Sequence, residues 1–337
     1  MIQPPRKHLA RLPTPLEPLD RLSADLQEHG IETRIWIKRD DLTDTIASGN
    51  KIRKLEFSIG QALAEEANVL VTWGGVQSNH CRATAQLAAR LGLKSHLILR
   101  GNEPDEYDGN LLIDRLVGAN VTFAPLPEYQ QMDDTYAELQ TRYANQGLRT
   151  YRIPVGASDE IGLWGYIACA EELKSDFESL ELKPDAIVSA TGSGGTLAGL
   201  ILGNHLYKVD TTIYAFNVCD DEAYFLKKIS EDFTAWRSRY DIEVNSADIP
   251  INVIEGYVGP GYGRANPEVF DTIHRVARLE GIVLDPVYTG KAFHGMLTEL
   301  DQGRFQGMKD IVFVHTGGML GLFPQKHELF ATSDQVS

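Results

Sequence analysis

The chain has 337 residues, of which 32 are lysine or arginine and 47 are aspartate or glutamate, so its formal charge at pH 7 is −15. This length predicts about two domains. The acidic balance argues against a nucleic-acid partner or an anionic membrane, because both bind basic surfaces.

The sequence shows no features of a membrane span, a signal peptide or a disulfide framework. No run approaches the roughly 18 apolar residues that a span requires. Met1–Leu16 contains four prolines and no apolar run, unlike a signal peptide. Cys81, Cys169 and Cys219 are isolated from one another, which predicts reduced thiols, a cytoplasmic enzyme and no metal site.

Short apolar runs alternate with amphipathic stretches from about residue 50 to the end of the chain. In chain order, this pattern predicts strand Asn68–Trp73, helix Ser78–Leu91, strand His96–Arg100, loop Gly101–Gly109, helix Asn110–Val117, strand Val121–Ala124, helix Asp133–Asn145, strand Thr150–Pro154, helix Ile161–Lys174, strand Ala186–Ala190, helix Gly195–Asn204, strand Thr212–Val218, helix Glu222–Tyr240, loop Asn245–Ile249, helix Asn266–Leu279 and strand Asp310–His315. The alternation predicts an α/β fold with parallel sheets and helices on both faces. Ligands bind at the carboxyl ends of strands in such sheets, so the loops after strands are the informative places.

The first motif is Ser48-Gly49-Asn50-Lys51-Ile52-Arg53-Lys54, at the start of an amphipathic helix. Three basic side chains crowd a first turn where the helix macrodipole prefers acids. Basic side chains that oppose the macrodipole in this way are expected where the helix start binds an anion or carries a functional amine. Composition alone nevertheless favours solvated surface side chains here.

The second motif, Thr72–His80, follows a strand and opens a helix. Ser78 is a natural N-cap, and free N–H groups at such a helix start can bind a carboxylate. A capping serine with no further role is the simpler interpretation. His80 and Cys81 are adjacent on a helix and point in different directions, which argues against a Cys–His hydrolase.

The third motif is the Gly/Ser/Thr loop Ala190–Thr196, between a strand and a helix. Its backbone N–H groups, hydroxyls and helix N-terminus have the features of a phosphate cradle. No Gly-Lys-Ser/Thr follows and the G-x-G-x-x-G spacing is absent, so it is neither a Walker A loop nor a dinucleotide fingerprint. A nicotinamide-dependent oxidoreductase is therefore not favoured.

Three downstream segments are weak signals when taken singly. Gly259–Gly263 is a turn that presents Tyr262, and Asp285-Pro286-Val287-Tyr288 places Tyr288 just before a helix. His315-Thr316-Gly317-Gly318 ends a strand in a hydroxyl and glycines. Tyrosines in glycine turns usually pack or cap, and His315 is predicted to be a buried structural histidine.

Together these segments resemble the pyridoxal-phosphate enzymes of fold type II, the tryptophan-synthase-β type with two open-sheet domains. Within that group they resemble the subgroup of 1-aminocyclopropane-1-carboxylate deaminase and D-cysteine desulfhydrase. The resemblance runs from Pro13-Thr14-Pro15-Leu16 to Gly317-Gly318. The segments that look most like the desulfhydrases are Gly109–Leu112, Arg115–Asn120 and Cys219-Asp220-Asp221.

The resemblance implies roles for individual residues. Lys51 would hold pyridoxal 5'-phosphate as a Schiff base, Ser78 and Asn79 would bind the substrate carboxylate, and Tyr262 and Tyr288 would flank the substrate. The implied catalytic residues are Lys51, Ser78, Tyr262 and Tyr288. The implied cofactor contacts are Asn50, Lys51, Lys54, Asn79, Gly192, Ser193, Gly194, Gly195, Thr196 and Thr316, the last facing the pyridine nitrogen. The implied substrate contacts are Gln77, Ser78, Asn79, His80 and Thr289, and no metal is implied.

The activity that the resemblance implies is β-elimination of a small amino acid, D-cysteine, to pyruvate, ammonia and hydrogen sulfide. The alternatives are elimination from L-cysteate or β-chloroalanine, deamination of the cyclopropane amino acid, and a ligand-binding homologue without catalysis. Thr289 weakens the cyclopropane alternative, because the deaminases have an acid after the tyrosine. Ser48 also departs from the pattern, which commonly has a glycine there. Lys51 argues against a purely binding role.

The resemblance also implies a homodimer with the active site within each chain. The cofactor domain would comprise residues 1–54 and 156–337, and a smaller α/β domain of residues 55–155 would close on the substrate.

Overall fold

The computed structural model describes residues 3–241 and 249–331 as an α/β protein built around two sheets. The strands are β1 Leu16–Pro18, β2 Arg34–Lys38, β3 Val69–Gly75, β4 Lys94–Arg100, β5 Asn120–Ala124, β6 Thr150–Arg152, β7 Ala186–Thr191, β8 Thr212–Asn217, β9 Asn252–Ile254 and β10 Asp310–Val314. The helices are α1 Asp20–Glu28, α2 Asn50–Ala64, α3 Asn79–Arg90, α4 Gly109–Leu116, α5 Leu126–Tyr129, α6 Met132–Ala144, α7 Trp164–Ser179, α8 Gly195–Tyr207, α9 Glu222–Tyr240, α10 Pro267–Glu280, α11 Thr289–Asp301 and α12 Lys326–Ala331. Short 3-10 helices span Asp40–Leu42, Val155–Ala157 and Met319–Gln325.

The larger sheet has the strand order β1-β2-β10-β7-β8-β9, and the smaller one has the order β5-β4-β3-β6. Every pairing is parallel except that between β1 and β2. The predicted α/β class with parallel sheets is confirmed, with the addition of one antiparallel edge strand. No helix among the described residues is long and apolar enough to cross a membrane.

The fourteen predicted strands and helices are all present, with shifted ends. The largest shift concerns Ile161–Lys174, whose helix α7 begins at Trp164 and continues to Ser179, because Leu173 and Phe177 keep its apolar face buried. The predicted strand Thr150–Pro154 ends at Arg152, before the proline that cannot donate to a ladder. The predicted loop Gly101–Gly109 is irregular up to the start of α4. The predicted loop Asn245–Ile249 lies outside the described residues except for Ile249.

The larger sheet is buried on both faces. Alternate residues of β10 face opposite sides: Ile311 and Phe313 pack into one apolar cluster, and Val312 and Val314 into the other. Helices α1, α10 and α11 contribute to the first cluster, and α7, α8 and α9 contribute to the second. Covered faces of this kind are what parallel strands require.

Helix α2 lies between the two sheets. Its residues Leu55 and Ile59 pack with Leu70 of β3 and Leu87 of α3, whereas its Phe57 packs with α7. The start of α2 is therefore fixed by both halves of the molecule.

Candidate active site

The carboxyl ends of the strands in both sheets face a common cleft. It contains a cavity of about 600 Å³ whose lining includes Lys51, Ser78, Arg100, Tyr262 and Tyr288. A narrow pocket adjoins this cavity and shares Lys51, Gly192, Ser193 and Tyr288 with it. The rest of its lining is Asn50, Asn79, Ala190, Thr191, Gly194, Thr196, Thr316 and Gly317.

The first motif places Lys51 at the base of this cleft. The N-cap of α2 is Gly49, with φ of +104°, and a Cβ there would lie 2.4 Å from the carbonyl oxygen of Thr316. Only glycine tolerates both this backbone conformation and this contact. The close approach lets the Asn50 N–H donate to the Thr316 carbonyl at 3.1 Å, so Lys51 and Thr316 line the same pocket.

The interpretation of Lys51, Arg53 and Lys54 as solvated surface residues is wrong. Their exposed fractions are 9%, 1% and 0%, respectively. Loss of solvation lowers the pKa of the Lys51 amine to about 8. Burial and the charge of Lys51 lower the pKa of Lys54 well below its usual value. Composition could not indicate this, because burial depends on α7 and on both sheets.

Arg53 differs from the two lysines in having carboxylate partners. Its Nε and Nη2 donate to the two oxygens of Asp40 at 2.8 and 2.7 Å, and its other contacts reach Glu172 at 2.9 and 3.0 Å. Tyr166 also donates to Asp40, at 2.6 Å. This buried ionic cluster anchors the helix turn that carries Lys51, and no sequence motif indicated Asp40 or Glu172.

The glycine-rich loop forms the wall opposite Lys51. Strand β7 ends at Thr191 and α8 begins at Gly195, with Gly194 at φ of +83° between them. The Gly195 N–H donates to Ser158 Oγ at 3.2 Å, and a Cβ on Gly195 would lie 2.5 Å from that oxygen. Ser158 Oγ also accepts from Lys54 Nζ at 3.2 Å. Ser158 therefore joins Lys54 to the loop, although no motif indicated this residue.

The polar groups in this pocket, and Lys54 behind it, fit an anionic ligand. Among the residues that the structure describes, neither Lys51 nor Lys54 forms an ion pair, although both are buried. The buried oxygens Thr191 Oγ1 and Asn79 Oδ1 also have no hydrogen-bond partner. Buried charges and polar groups normally have partners. A phosphate group on the N-terminus of α8 supplies a counter-charge for the two lysines and an acceptor for the Thr191 hydroxyl, whereas the Asn79 carbonyl oxygen requires a donor.

The second motif forms another helix start on the side of the smaller sheet. Ser78 is the N-cap of α3, and its Oγ accepts from the Cys81 N–H at 3.2 Å. A Cβ on Gly74 would lie 2.5 Å from Ser78 Oγ, so the glycine permits this close turn. Ser78 is 7% exposed and lines the larger cavity. The start of α3 thus presents free N–H groups close to Lys51.

His80 is held as a neutral side chain. Its Nε2 contacts Thr72 Oγ1 at 2.8 Å, and that hydroxyl donates to the Ile153 carbonyl. Nε2 therefore carries the hydrogen, and Nδ1 is an acceptor without a partner. Burial and the charges of Lys51 and Lys54 lower the pKa of His80 well below its usual value.

Tyr262 and Tyr288 meet across the cavity, with their hydroxyl oxygens 2.5 Å apart. Loss of solvation raises the pKa of both phenols, so both are protonated at neutral pH. Lys291 of α11 holds the loop that carries Tyr262. Its Nζ donates to the carbonyls of Val258 and Gly261 at 2.7 and 2.9 Å. Lys291 is fully buried, and no sequence motif indicated a role for it.

Two predicted substrate contacts lie outside the described linings of the cavity and the pocket. Gln77 donates to the Asp108 carbonyl and accepts from the Asn110 N–H. Thr289 is buried, and its hydroxyl binds Asp285 Oδ1 at 2.8 Å. His315 is buried with its Nε2 at the Val283 carbonyl, in agreement with a structural role. Within residues 3–241 and 249–331, no group of His, Cys, Asp and Glu side chains is arranged to hold a metal ion.

Comparison with known proteins connects this geometry to one family. The sequence profile of the family described as "Pyridoxal-phosphate dependent enzyme" matches residues 8–317. The chain is 41% identical over 332 residues to a bifunctional D-cysteine desulfhydrase/1-aminocyclopropane-1-carboxylate deaminase of Arabidopsis thaliana, covering 95% of this chain and 80% of that protein. It is 39% identical over 326 residues to a D-cysteine desulfhydrase of Klebsiella pneumoniae (strain 342), covering 95% of each.

Solved structures agree with these similarities. A crystal structure of an ACC deaminase homologue superimposes with a TM-score of 0.88 at 34% identity, covering 97% of this chain and 96% of that one. A fungal L-serine ammonia-lyase from Rhizomucor miehei superimposes with a TM-score of 0.67 at 17% identity, covering 95% of this chain and 98% of that one. The second similarity concerns the fold alone, and both confirm the predicted two-sheet fold of type II.

Proposed function

The chain belongs to the pyridoxal-phosphate dependent enzymes, and we propose that it catalyses β-elimination of D-cysteine to pyruvate, ammonia and hydrogen sulfide. The enzyme class and the cofactor follow from the family. The substrate is a proposal supported by the relatives named D-cysteine desulfhydrase, which match this chain over nearly its whole length. The main structural support for β-elimination is that one cavity is lined by the Lys51 amine, the start of α3 and the Tyr262–Tyr288 pair.

We propose that Lys51 binds the cofactor covalently through its amine. The phosphate would be held by residues Gly192–Thr196 at the start of α8, with Lys54 as its buried counter-charge. Asn50, Asn79 and Thr316 would complete the contacts to the cofactor, with Thr316 at the pyridine nitrogen. The lack of ion pairs at Lys51 and Lys54 supports this assignment. Bound there, pyridoxal phosphate supplies an electron sink for the electrons of the substrate Cα–H bond.

The substrate carboxylate would bind at the start of α3. Asn79 and His80 place free N–H groups at this helix N-terminus, which favour an anion, and the hydroxyl of the N-cap Ser78 lies beside them. Gln77 supports this segment through Asp108 and Asn110. Thr289 would act indirectly, because its hydroxyl fixes the Asp285 carboxylate that also accepts from the Tyr288 N–H.

Lys51 and the two tyrosines would act as the acid and base groups of the reaction. The pKa of about 8 leaves a useful fraction of the Lys51 amine neutral near pH 7.5, and a neutral amine can take the proton from Cα. The Tyr262–Tyr288 hydroxyl pair would hold a proton against the departing sulfur. Both phenols stay protonated in this pH range because loss of solvation raises their pKa.

Deamination of 1-aminocyclopropane-1-carboxylate is the second candidate activity. It is supported by the bifunctional relative and by the solved ACC deaminase homologue. Thr289 disfavours it, because the cyclopropane-opening deaminases have an acid after the tyrosine.

A product assay on the purified holoenzyme tests the proposal. We expect sulfide and pyruvate from D-cysteine, with much slower release from L-cysteine and no 2-oxobutanoate from the cyclopropane amino acid. If the main activity is release of sulfite from L-cysteate, then L-cysteate replaces D-cysteine as the proposed substrate and the enzyme class is unchanged. The Lys51→Ala variant provides the matched control, and turnover by that variant would contradict the role of Lys51.

We also propose two domains, a homodimer and a cytoplasmic location. Residues 69–152 contribute the whole smaller sheet, which supports a small domain of residues 55–155 inside a large one of residues 1–54 and 156–337. The dimer is supported by the exposed apolar side chains Leu112 and Leu116 of α4 beside Met319 and Phe323 of the adjacent 3-10 helix. Light scattering that reports a monomer would contradict it. The free thiols support a reducing compartment.

A further inference from the structure

Arg100 lies at the outer end of the cavity that contains Lys51. It is the last residue of β4, opposite Gly75 of β3, at the carboxyl edge of the smaller sheet. Its guanidinium carbon is 5.8 Å from the ring centre of Tyr129 and 5.8 Å from that of Tyr262. Because the Tyr262 hydroxyl contacts Tyr288, Arg100 contacts the tyrosine pair directly at Tyr262 and is one side chain away from Tyr288.

The Arg100 guanidinium has no acidic partner. Within the described ranges 3–241 and 249–331 it forms no ion pair and no hydrogen bond, whereas Arg34, Arg39 and Arg53 each bind a carboxylate. Arg100 is exposed at the mouth of the cavity, and no carboxylate among the described residues pairs with it, although the chain has 47 acidic residues. Stacking on the two tyrosine rings holds the guanidinium plane without using its N–H donors. The donors remain available to a ligand.

Two other charged side chains at this end of the lining, Lys228 and Asp220, have partners. Lys228 forms an ion pair with Asp232. The Asp220 carboxylate lies beside the Cys219 thiol, where it and burial raise the pKa of Cys219 to about 12. The charge of Arg100 acts on the pKa of that thiol in the opposite direction. Arg100 is therefore the free cation at this end of the described lining.

The cavity also has more room than a cysteine side chain requires. Its volume of about 600 Å³ falls in the range of roughly 300–1,000 Å³ that takes much larger ligands. We infer that Arg100 binds an oxyanion at the end of the substrate's β-substituent. β-Substituted alanines that end in a sulfonate or a thiosulfonate are then substrates of this site. This inference rests on the proposed β-elimination.

The chemistry of these substrates needs no additional reactant. The proton leaves Cα, and the Cβ–S bond breaks with its electron pair remaining on the leaving group. Cysteate then releases sulfite, and S-sulfocysteine releases thiosulfate. Two oxygens of either group match the planar fork of a guanidinium, which binds such oxyanions in a bidentate manner.

Steady-state kinetics of the holoenzyme test the inference. The substrates are both enantiomers of cysteate and S-sulfocysteine, with β-chloroalanine as the reference that carries no oxyanion beyond Cβ. In Arg100→Met, we expect the kcat/KM ratio of oxyanion substrate to β-chloroalanine to fall about 10- to 100-fold, mainly through KM. Arg100→Lys keeps the charge but loses the planar fork of the guanidinium, so its kcat/KM ratio should lie between those of the wild type and Arg100→Met.

Arg115→Met is the matched control. Arg115 also stacks on two aromatic rings, Tyr107 and Phe123, but it lies outside the described lining of the cavity. We expect this variant to keep the wild-type kcat/KM ratio. An equal fall of the ratio in Arg100→Met and Arg115→Met would overturn the inference.

Two further outcomes separate this inference from the proposed function. If the wild type eliminates chloride from β-chloroalanine but turns over no oxyanion substrate, the inference is overturned and β-elimination stands. If no substrate is eliminated, the proposed function fails, and cysteate binding measured by the change in the visible spectrum of the holoenzyme decides the inference. Binding at least 10-fold weaker in Arg100→Met supports it, and equal binding overturns it.

Discussion

Arg53 and Asp40 form a bidentate ion pair directly beneath the helix turn that carries Lys51, with N–O distances of 2.8 and 2.7 Å. Both side chains are at most 1% exposed. Asp40 also accepts from the hydroxyls of Thr14 and Tyr166. A pair so completely buried and hydrogen-bonded fixes the position of the helix start, and with it the position of the Lys51 amine.

Removal of the Asp40 charge is expected to destabilise the protein strongly. Asp40→Asn leaves the Arg53 guanidinium buried with an incomplete set of partners, and breaking such a pair typically costs about 3–5 kcal/mol. The free energy of unfolding from chemical denaturation measures the loss. The matched control is Glu231→Gln, which removes an acid from the exposed pair with Lys227 at 3.9 Å and should cost less than about 1 kcal/mol. Equal losses in the two variants would contradict the anchoring role of Asp40.

The lowered pKa of Lys51 predicts how cofactor uptake depends on pH. With a pKa of about 8, the reactive neutral amine is already half populated at pH 8, whereas an ordinary lysine reaches that point near pH 10.4. The rate at which apoprotein takes up pyridoxal phosphate should rise with pH and level off above about pH 8. Stopped-flow absorbance measures this rate. A rate that keeps rising to pH 10 would contradict the lowered pKa.

Lys54 is expected to lower the stability of the apoprotein and to raise its affinity for the cofactor. Its buried amine has no acidic partner among the described residues and donates to Ser158 Oγ. Lys54→Met replaces a poorly solvated amine with an apolar side chain, so the melting temperature of the apoprotein should rise. The same change should weaken binding of pyridoxal phosphate about 10-fold or more, because a charged hydrogen bond to the phosphate is lost.

Pyridoxal without its phosphate is the control ligand for Lys54. Its affinity should change far less, because it lacks the group that Lys54 is proposed to bind. Equal loss of affinity for both ligands in Lys54→Met, measured by equilibrium titration, would assign Lys54 to another part of the cofactor.

Lys291 is expected to position Tyr262 without touching the substrate. Lys291→Met removes both donors to the carbonyls of Val258 and Gly261 and leaves these carbonyls without that partner. We expect kcat/KM for D-cysteine to fall about 10-fold, with the visible spectrum of the bound cofactor unchanged. Lys309→Met, at an exposed lysine, is the control. A loss of the cofactor band in Lys291→Met would indicate a general structural role instead.

Local patterns in the sequence indicated three parts of this site: the Ser78 cap and the glycine-rich loop each lie between a predicted strand and a predicted helix, and Lys51 lies in the first turn of an amphipathic helix. The start of α2 at Lys51, the Ser78 cap and the glycine-rich loop before α8 all lie within single short segments. The missing groups act over long distances in the chain: Arg53 and Glu172 are 119 residues apart, and Lys54 and Ser158 are 104 apart.

The interpretation of the basic turn as a solvated surface failed for the same reason. What covers Lys51, Arg53 and Lys54 is supplied by α7 and by the two sheets, and a single sequence does not show which distant segments come together. Strands β1 and β2 were not predicted, because they precede residue 50, where the alternation of apolar and amphipathic stretches begins. Strand β9 was not predicted either, and like β1 it has only three residues. Too few alternating positions are available in such strands to reveal a period of two.

The central claim is that Lys51 carries the cofactor in a catalytically competent cavity. The most direct test is to reduce the purified holoenzyme with borohydride and locate the bound pyridoxal phosphate by peptide mass spectrometry. The account predicts the modification on the peptide containing Lys51, the loss of D-cysteine turnover after reduction, and no modification at that peptide in Lys51→Ala. Modification at Lys54 or Lys291, or a protein that retains turnover after reduction, would contradict it.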